Sequence, residues 1–299
     1  MLDDLSLFIK IVECGNFTKA ANVLNIYQSK ISRRMNSLEE MLGVQLFKRN
    51  VKEMELTEHG LIAYNMFKFN INSLINRIDD FNALSGKITG RINVILPPLF
   101  ANRFINHRLN SLINEYPDLE LNISYLVLNE HDLNSFVFDL ALSRIPATKP
   151  SFQQSVLFKT KLILCASKEY LEKNGSPADF SDILKHRLIT IVADDNNHQL
   201  TAFGEVIGEA DSNNVEIELP RYNIIHNSSL AAYDMVKAGT GLTFMLEYGI
   251  KEELENGDIV RLLPDYHFGE VKFYLIQSNH ETNSKLEIVK KFLRESLTD

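Results

Sequence analysis

Residues 15–57 constrain this chain more than any other stretch. The run GNFTKAANVLNIYQSKISRRMNSLEEMLGVQLFKRNVKEMELT spaces its apolar residues for two short helices joined by a tight turn. Before it, Leu5, Phe8, Ile9 and Val12 recur at helical spacing and stop at Gly15. Thr18 is expected to cap the first of the two helices, whose inner side is Ala20, Ala21 and Leu24. Asn25 and Tyr27 fall in the turn, and the next helix buries Ile31, Met35, Leu38 and Leu42. Its other face carries Gln28, Ser29, Lys30, Ser32, Arg33 and Arg34, residue types that donate to phosphates and read base edges. Gly43 sits where a C-terminal cap belongs. KRNVKEMEL then reads as two short strands around a basic turn, a wing whose Arg49 and Lys52 could reach the backbone or minor groove. A small helix behind a polar, basic one is what presenting a helix to the major groove requires, and double-stranded DNA is the implied partner.

Within that face, Gln28 suits a bidentate pair with adenine, and Arg33 or Arg34 one with guanine. Each such pair is worth about 1–3 kcal/mol of discrimination. Ser29, Ser32 and Thr18 suit phosphates, and a salt bridge to Glu39 or Glu40 is the competing role for Arg34. The formal net charge of −8 is uneven: residues 1–89 carry 11 Lys+Arg against 10 Asp+Glu, leaving 20 against 29 for the rest. A nearly neutral head on an acidic body favours discrimination between sites over sheer affinity for any DNA.

Thr57 precedes a helical stretch reaching about Ser85, in which Tyr64, Phe67, Ile71, Leu74, Ile78 and Phe81 form a heptad seam. A stripe that narrow implies a partner helix, so self-association is expected, and a dimer would supply two reading heads. SGKITGR at 85–91 is a linker. Beyond it, strand and helix patterns alternate, as in INVIL, RFINHRLNSLINEY, LELNISYLV and DLALS, which implies an α/β architecture with mostly parallel strands. Residues 90–299 suffice for two lobes with a ligand cleft between them. Cys14 and Cys165 read as small buried hydrophobes. No HExxH, GxSxG, CxxC or GxxxxGK[ST] occurs and the eight histidines are scattered, so no metal, cofactor or enzymatic activity is expected. The sequence has no apolar run of membrane-spanning length, and its N-terminus lacks the pattern of a secretory signal, so a cytoplasmic location is expected.

These residues resemble the LysR-type transcriptional regulators of bacteria. The resemblance is carried by Phe8, Gly15-x-Phe17-Thr18-x-Ala20-Ala21, Leu24, Gln28-Ser29 and Ser32-Arg33. It continues through Leu38-Glu39-Glu40, Leu42-Gly43, Leu46-Phe47-x-Arg49, Leu56-Thr57 and Gly60. In the C-terminal half it rests on Tyr116-Pro117-Asp118, Asp139-Leu140-Ala141-Leu142, ASKEYLEKNGSP, VKAGTGLTFML and LENGDIVRLL. It implies a winged helix-turn-helix head at 1–57, a dimerising linker helix at 58–86 and an effector-binding regulatory domain at 87–299. That domain would be similar to type 2 periplasmic binding proteins, with lobe I at about 90–145 and 266–299 and lobe II at about 146–265. The resemblance also implies dimers of dimers on promoter DNA, a small-molecule effector between the lobes, and RNA polymerase as a candidate partner.

The sequence departs from the family pattern at Tyr27 and Lys30 in the head, which implies a different base preference. It departs again at Pro97-Pro98-Leu99-Phe100, where a hydroxyl residue often meets the ligand. Strand ends and helix starts nominate Leu99, Phe100, Ala101, Asn227, Ser228 and Ser229 for the effector, with Leu126 to Asn129 and Ser143 lining the first lobe. Asn227 and Ser228 fit ordinary helix capping equally well. A regulatory domain that only assembles, without a ligand, is the alternative; an enzyme with a DNA-targeting head is a more remote one.

Overall fold

The computed structural model describes residues 1–24, 26–48, 54–84, 87–191, 200–206, 214–219, 223–278 and 283–297. They form two compact units, residues 1–90 with 281–287 and residues 91–280 with 288–299.

In the first unit, α1 (Leu2–Cys14), α2 (Phe17–Leu24) and α3 (Gln28–Leu42) enclose Phe8, Ile11, Ala20, Ile31, Met35 and Leu38, none more than 2% exposed. Gly15 and Gly43 end α1 and α3 in the left-handed region, at φ 76° and 69°, where a Cβ would be strained. The cap of α2 is Asn16, whose Oδ1 accepts from the Lys19 amide at 2.6 Å. Thr18 already lies inside the first turn, so the expectation that it caps the helix is corrected. Asn25 lies outside the described residues.

Glu39 connects α3 to the hairpin: its Oε1 accepts from the amides of Leu46 and Phe47 at 2.6 and 3.0 Å. Phe47 in turn packs its ring on Phe8 and Phe17 at 5.5 and 4.9 Å. A bridge between Phe47 and Leu56 and a Lys48–Glu55 ion pair of 2.7 Å hold the base of the hairpin. Its tip, with Arg49 and Lys52, lies outside the described residues.

Thr57 then opens α4 (Glu58–Leu84): its Oγ1 accepts from the Gly60 amide at 2.9 Å and donates to Gln45 O at 2.5 Å. The heptad seam along α4 divides. Tyr64, Phe67 and Ile71 pack against the core under α1, Ile71 buried and the other two half-buried. Leu74, Ile78 and Phe81 remain 40%, 52% and 71% exposed.

The second unit begins with β1 (Gly90–Leu96), α5 (Pro98–Phe100), α6 (Leu109–Glu115), β2 (Leu119–Tyr125), α7 (Glu130–Ser135) and β3 (Leu140–Ser143). Between α5 and α6 the backbone is π-helical at Ala101–Ile105 and 3-10 at Asn106–Arg108. Next come β4 (Gln153–Ser167), α8 (Lys168–Asn174), β5 (Leu188–Ile191), β6 (Leu200–Val206), β7 (Asn214–Leu219) and β8 (Ile224–His226). The chain continues with α9 (Ser229–Lys237), β9 (Leu242–Leu246), α10 (Lys251–Asn256), β10 (Ile259–Leu262), β11 (Tyr266–His267), β12 (Glu270–Gln277) and α11 (Ser284–Glu295).

The main sheet runs β2-β1-β3-β12-β4-β9-β5-β8, with β10 also on β4; β11-β6-β7 form a separate antiparallel sheet. The β1–β3, β5–β8 and β5–β9 pairs are parallel. The pairs β3–β12, β12–β4, β4–β9 and β4–β10 are antiparallel. The sheet is therefore mixed and not mostly parallel. The cause is β4, which gives residues 153–161 to β12 and then 162–167 to β9 and β10, so one long strand serves both halves.

Gly60 is fixed by contact: a Cβ there would come within 2.0 Å of the Leu46 carbonyl oxygen. Gly60→Ala should lower stability by about 2 kcal/mol or more, read as a reduced midpoint of thermal or urea unfolding.

Candidate DNA-reading face and effector module

The buried stripe Ile31, Met35 and Leu38 fixes which side of α3 meets solvent. Gln28, Ser29, Lys30 and Arg33 stand exposed together on that side, and Ser32 is half-buried beside them. The exposed Thr18 hydroxyl donates to Gln28 Oε1 at 3.4 Å, so the start of α2 orients the first side chain of α3.

Arg34 does not belong to this group. Its Nε lies 2.7 Å from Asp4 Oδ1 on α1, and both side chains are partly buried. The Arg34 hydrogen bond, aided by the N-terminal ammonium at 3.1 Å, holds the Asp4 carboxyl below the usual carboxylate range. One residue beyond Arg33 is a rotation of about 100° around the helix, enough to turn a side chain from the groove-facing side towards α1. Both sequence readings of Arg34, a guanine contact and a bridge to Glu39 or Glu40, give way to this tie between helices.

In the α/β unit, the nominated effector residues are mostly structural. Leu99 is 2% exposed and Phe100 and Ala101 are fully buried, so the turn after β1 points into the core. Leu99 packs onto Gly249 so closely that a Cβ there would meet its Cδ2 at 2.5 Å. The Ala101 amide already donates to Pro97 O at 3.0 Å. Asn129 and Asp132 form a reciprocal capping box at the start of α7. Ser143 is buried, donating to Ile145 O at 2.8 Å and accepting from the Ile145 amide at 3.1 Å. Ser228 caps α9 through the Ala231 amide at 3.2 Å, the capping role the sequence offered for it. Leu126 and Asn227 are exposed, just past the ends of β2 and β8.

Two clusters escaped the sequence reading. One is aromatic: Tyr248 meets Phe158, Phe104, Phe273 and Phe100 at ring-centroid distances of 5.5, 5.7, 5.7 and 6.3 Å. The other is ionic and is centred on Arg103 in the π-helical turn. Its Nη2 donates to both oxygens of the buried Glu253 at 2.9 and 2.8 Å, and its Nε to Gly249 O at 2.9 Å. Tyr233 donates to Glu253 Oε1 at 2.5 Å, and the guanidinium lies 4.5 Å from the Tyr233 ring centre. Burial opposes the Glu253 charge, but the bonds from Tyr233 and Arg103 outweigh it and hold the carboxyl below its usual range. About 150 residues separate Arg103 from Glu253, beyond the reach of periodicity or local motifs.

Cys165 is buried, which pushes its thiol far up, while Cys14 is half-buried. Among the described residues no three His, Cys, Asp or Glu side chains are grouped to hold a metal, and no helix is long and apolar enough to cross a membrane.

A three-helix head with a polar third helix and a hairpin, followed by a two-part α/β sheet crossed by long strands, defines a winged-helix DNA-binding protein with a ligand-type module. The chain belongs to the LysR family of bacterial transcriptional regulators. Residues 2–61 match the bacterial regulatory helix-turn-helix protein of the lysR family, and residues 85–298 match the LysR substrate binding domain. Among its relatives, the HTH-type transcriptional activator AaeR of Escherichia coli is 26% identical, covering 100% of this chain and 93% of that protein. The activator TtdR of Escherichia coli is also 26% identical, covering 88% and 83%. The full-length fold is similar to CrgA of Neisseria meningitidis, with TM-score 0.62, 20% identity and 99% of each chain covered. It is also similar to LysG of Corynebacterium glutamicum, with TM-score 0.63, 15% identity and 99% and 97% covered.

Two outcomes follow from the charges. Because the folded Asp4 pKa is depressed, its stabilisation is complete above the ordinary Asp range and is lost as pH falls through the lowered value. Asp4→Asn should therefore melt below the wild type at neutral pH, and the gap should close in acid. Glu253→Ala leaves Arg103 buried without its carboxylate and should cost about 3–5 kcal/mol in chemical unfolding.

Proposed function

We propose that this regulator reads promoter DNA with the exposed face of α3 and changes its engagement when a small molecule binds the α/β module. The observation that carries the reading is the joint exposure of Gln28, Ser29, Lys30 and Arg33 opposite the buried Ile31, Met35 and Leu38. Residues 1–57 serve as reading head, 58–86 as linker and 87–299 as regulatory domain. The wing residues Arg49 and Lys52 add backbone contacts beside α3. Self-association uses the exposed Leu74, Ile78 and Phe81, giving a dimer with two heads for a two-fold-related site, and dimers of dimers on the promoter. The work is done in the cytoplasm, without catalysis, with RNA polymerase as the machinery affected. The LysG structure contains that protein's effector Arg, which supports the kind of event and not the ligand.

A regulatory domain that only assembles is the second reading, favoured by the buried Leu99–Ala101 turn. Binding of the full-length protein to sheared genomic DNA of its host, with and without host metabolite extract, separates the two. Enrichment of a two-fold-related motif that changes with extract supports the first reading. Enrichment indifferent to extract supports the second, and no enrichment in either condition overturns both.

On an enriched site, Gln28→Ala should lose about 1–3 kcal/mol of base discrimination at one position per half-site. Lys52→Ala should weaken cognate and scrambled duplexes alike and flatten the salt slope by about one. Equal losses for Gln28→Ala on both duplexes would contradict its assignment.

A further inference from the structure

Apart from the nominated effector residues, the α/β module carries a polar cavity of about 200 Å³ between β4, β12 and α11, lined by Gln153, Ser155, Leu275, Gln277, Lys290 and Arg294. Strand register builds its floor. Gln153 lies opposite Gln277 and Ser155 opposite Leu275 across the β4–β12 pair. Residues two apart on a strand point the same way, so these four side chains share one face. Gln154, between them, instead exchanges two hydrogen bonds with the Ala147 main chain, at 2.8 and 3.2 Å. On α11, Leu286, Val289 and Leu293 form the buried stripe. Lys290 and Arg294 each follow a member of that stripe and stand one turn apart at its border.

The charge of this cavity runs against that of the chain. Its described lining holds two cations and no carboxylate, although the sequence carries 39 Asp+Glu against 31 Lys+Arg. Lys290 is half-buried, and its ammonium donates at 3.0 Å to Oε1 of Gln277, itself only 3% exposed, which anchors one charge at the floor. Arg294 is exposed, and its guanidinium makes no ion pair among the described residues. The next cation on the helix, Lys291, pairs with Glu295 at 3.7 Å and lies outside the lining. Two positive charges gathered at one concave surface repel each other, and a bound anion relieves that repulsion. A water takes about 30 Å³ of liquid, so the cavity holds a compact ion with part of its hydration shell.

We propose that this cavity is a separate ligand site, which takes a phosphate group, free or carried on a small metabolite. A phosphoryl group brings a charge of about −1.5 to −2 at neutral pH and matches the two cations. Its oxygens accept from the Arg294 fork and from the Lys290 ammonium, with the exposed Ser155 hydroxyl as a neutral donor at the wall. A carboxylate has one charge and leaves a cation uncompensated. None of the residues nominated for the effector lines this cavity, so the assignment stands apart from the reading that an effector binds elsewhere in the module.

The test is calorimetric titration of the full-length chain, free of DNA, with inorganic phosphate, glycerol 3-phosphate and acetate at one fixed ionic strength. Phosphate should bind saturably and on the order of tenfold more tightly than acetate. Arg294→Gln should weaken phosphate on the order of tenfold or more, with thermal melting unchanged. Lys291→Gln removes the same charge from the same helix outside the cavity and should leave the affinity as it was. Because the exposed face of α3 also carries cations, Arg33→Gln is the control for phosphate bound at the head, and it too should leave the affinity as it was. Tighter binding of glycerol 3-phosphate than of phosphate identifies a carried group, and equal or weaker binding identifies the free ion. Absence of saturable phosphate binding, or acetate binding as tight as phosphate, overturns the assignment. So does a phosphate affinity that Arg294→Gln leaves intact, that Lys291→Gln lowers equally, or that only Arg33→Gln lowers.

Discussion

The α/β module depends on the pairing of β4 with β12. The two strands run antiparallel from Glu270 opposite Lys161 to Gln277 opposite Gln153, with a register shift between Phe273 and Tyr274. At that shift Phe273 stacks on Phe158 at 4.6 Å, with the rings only 3° from parallel. Beyond Lys161, β4 leaves β12 and carries β9 and β10 instead. A register shift of this kind bends a strand and raises its twist, and the same strand serves both halves of the sheet. Phe100 and Tyr248 meet both the Phe158 and Phe273 rings and Phe104 meets Phe158, so the pairing of β4 with β12 is also the centre of an aromatic cluster.

In the head, the comparable constraint is Glu39. Its one carboxylate oxygen takes two backbone amides of the hairpin, while Met35 and Leu38 on the same helix enter the core. The orientation of α3 therefore sets that of the wing, and Gly60 lets α4 start close against the Leu46 carbonyl. A reading face built this way can be altered in its side chains, as Tyr27 and Lys30 show, without disturbing the packing behind it.

The parts legible in the sequence are those governed by local periodicity. Helix ends at Gly15 and Gly43, the buried stripe of α3 and the length of α4 follow from spacing alone. Errors arose where a long-range partner decides. Arg34 finds Asp4 thirty residues away, and the seam of α4 loses its first half to α1. The mixed sheet could not be read because strand direction depends on where β4 and β12 cross. The effector nominations took strand-end hydroxyls and amides for ligand donors, yet Ser143, Asn129 and Ser228 spend theirs on local turns and caps.

The Arg103 cluster also limits how the module can move. Its carboxylate is buried on α10, while its guanidinium rides on the irregular helix after β1, where Leu99 is already lodged against Gly249. Separating these elements would break a nearly buried ion pair and leave each charge without its partner, so they resist moving independently. Two stretches of chain about 150 residues apart are thus clamped into one piece by a single side chain.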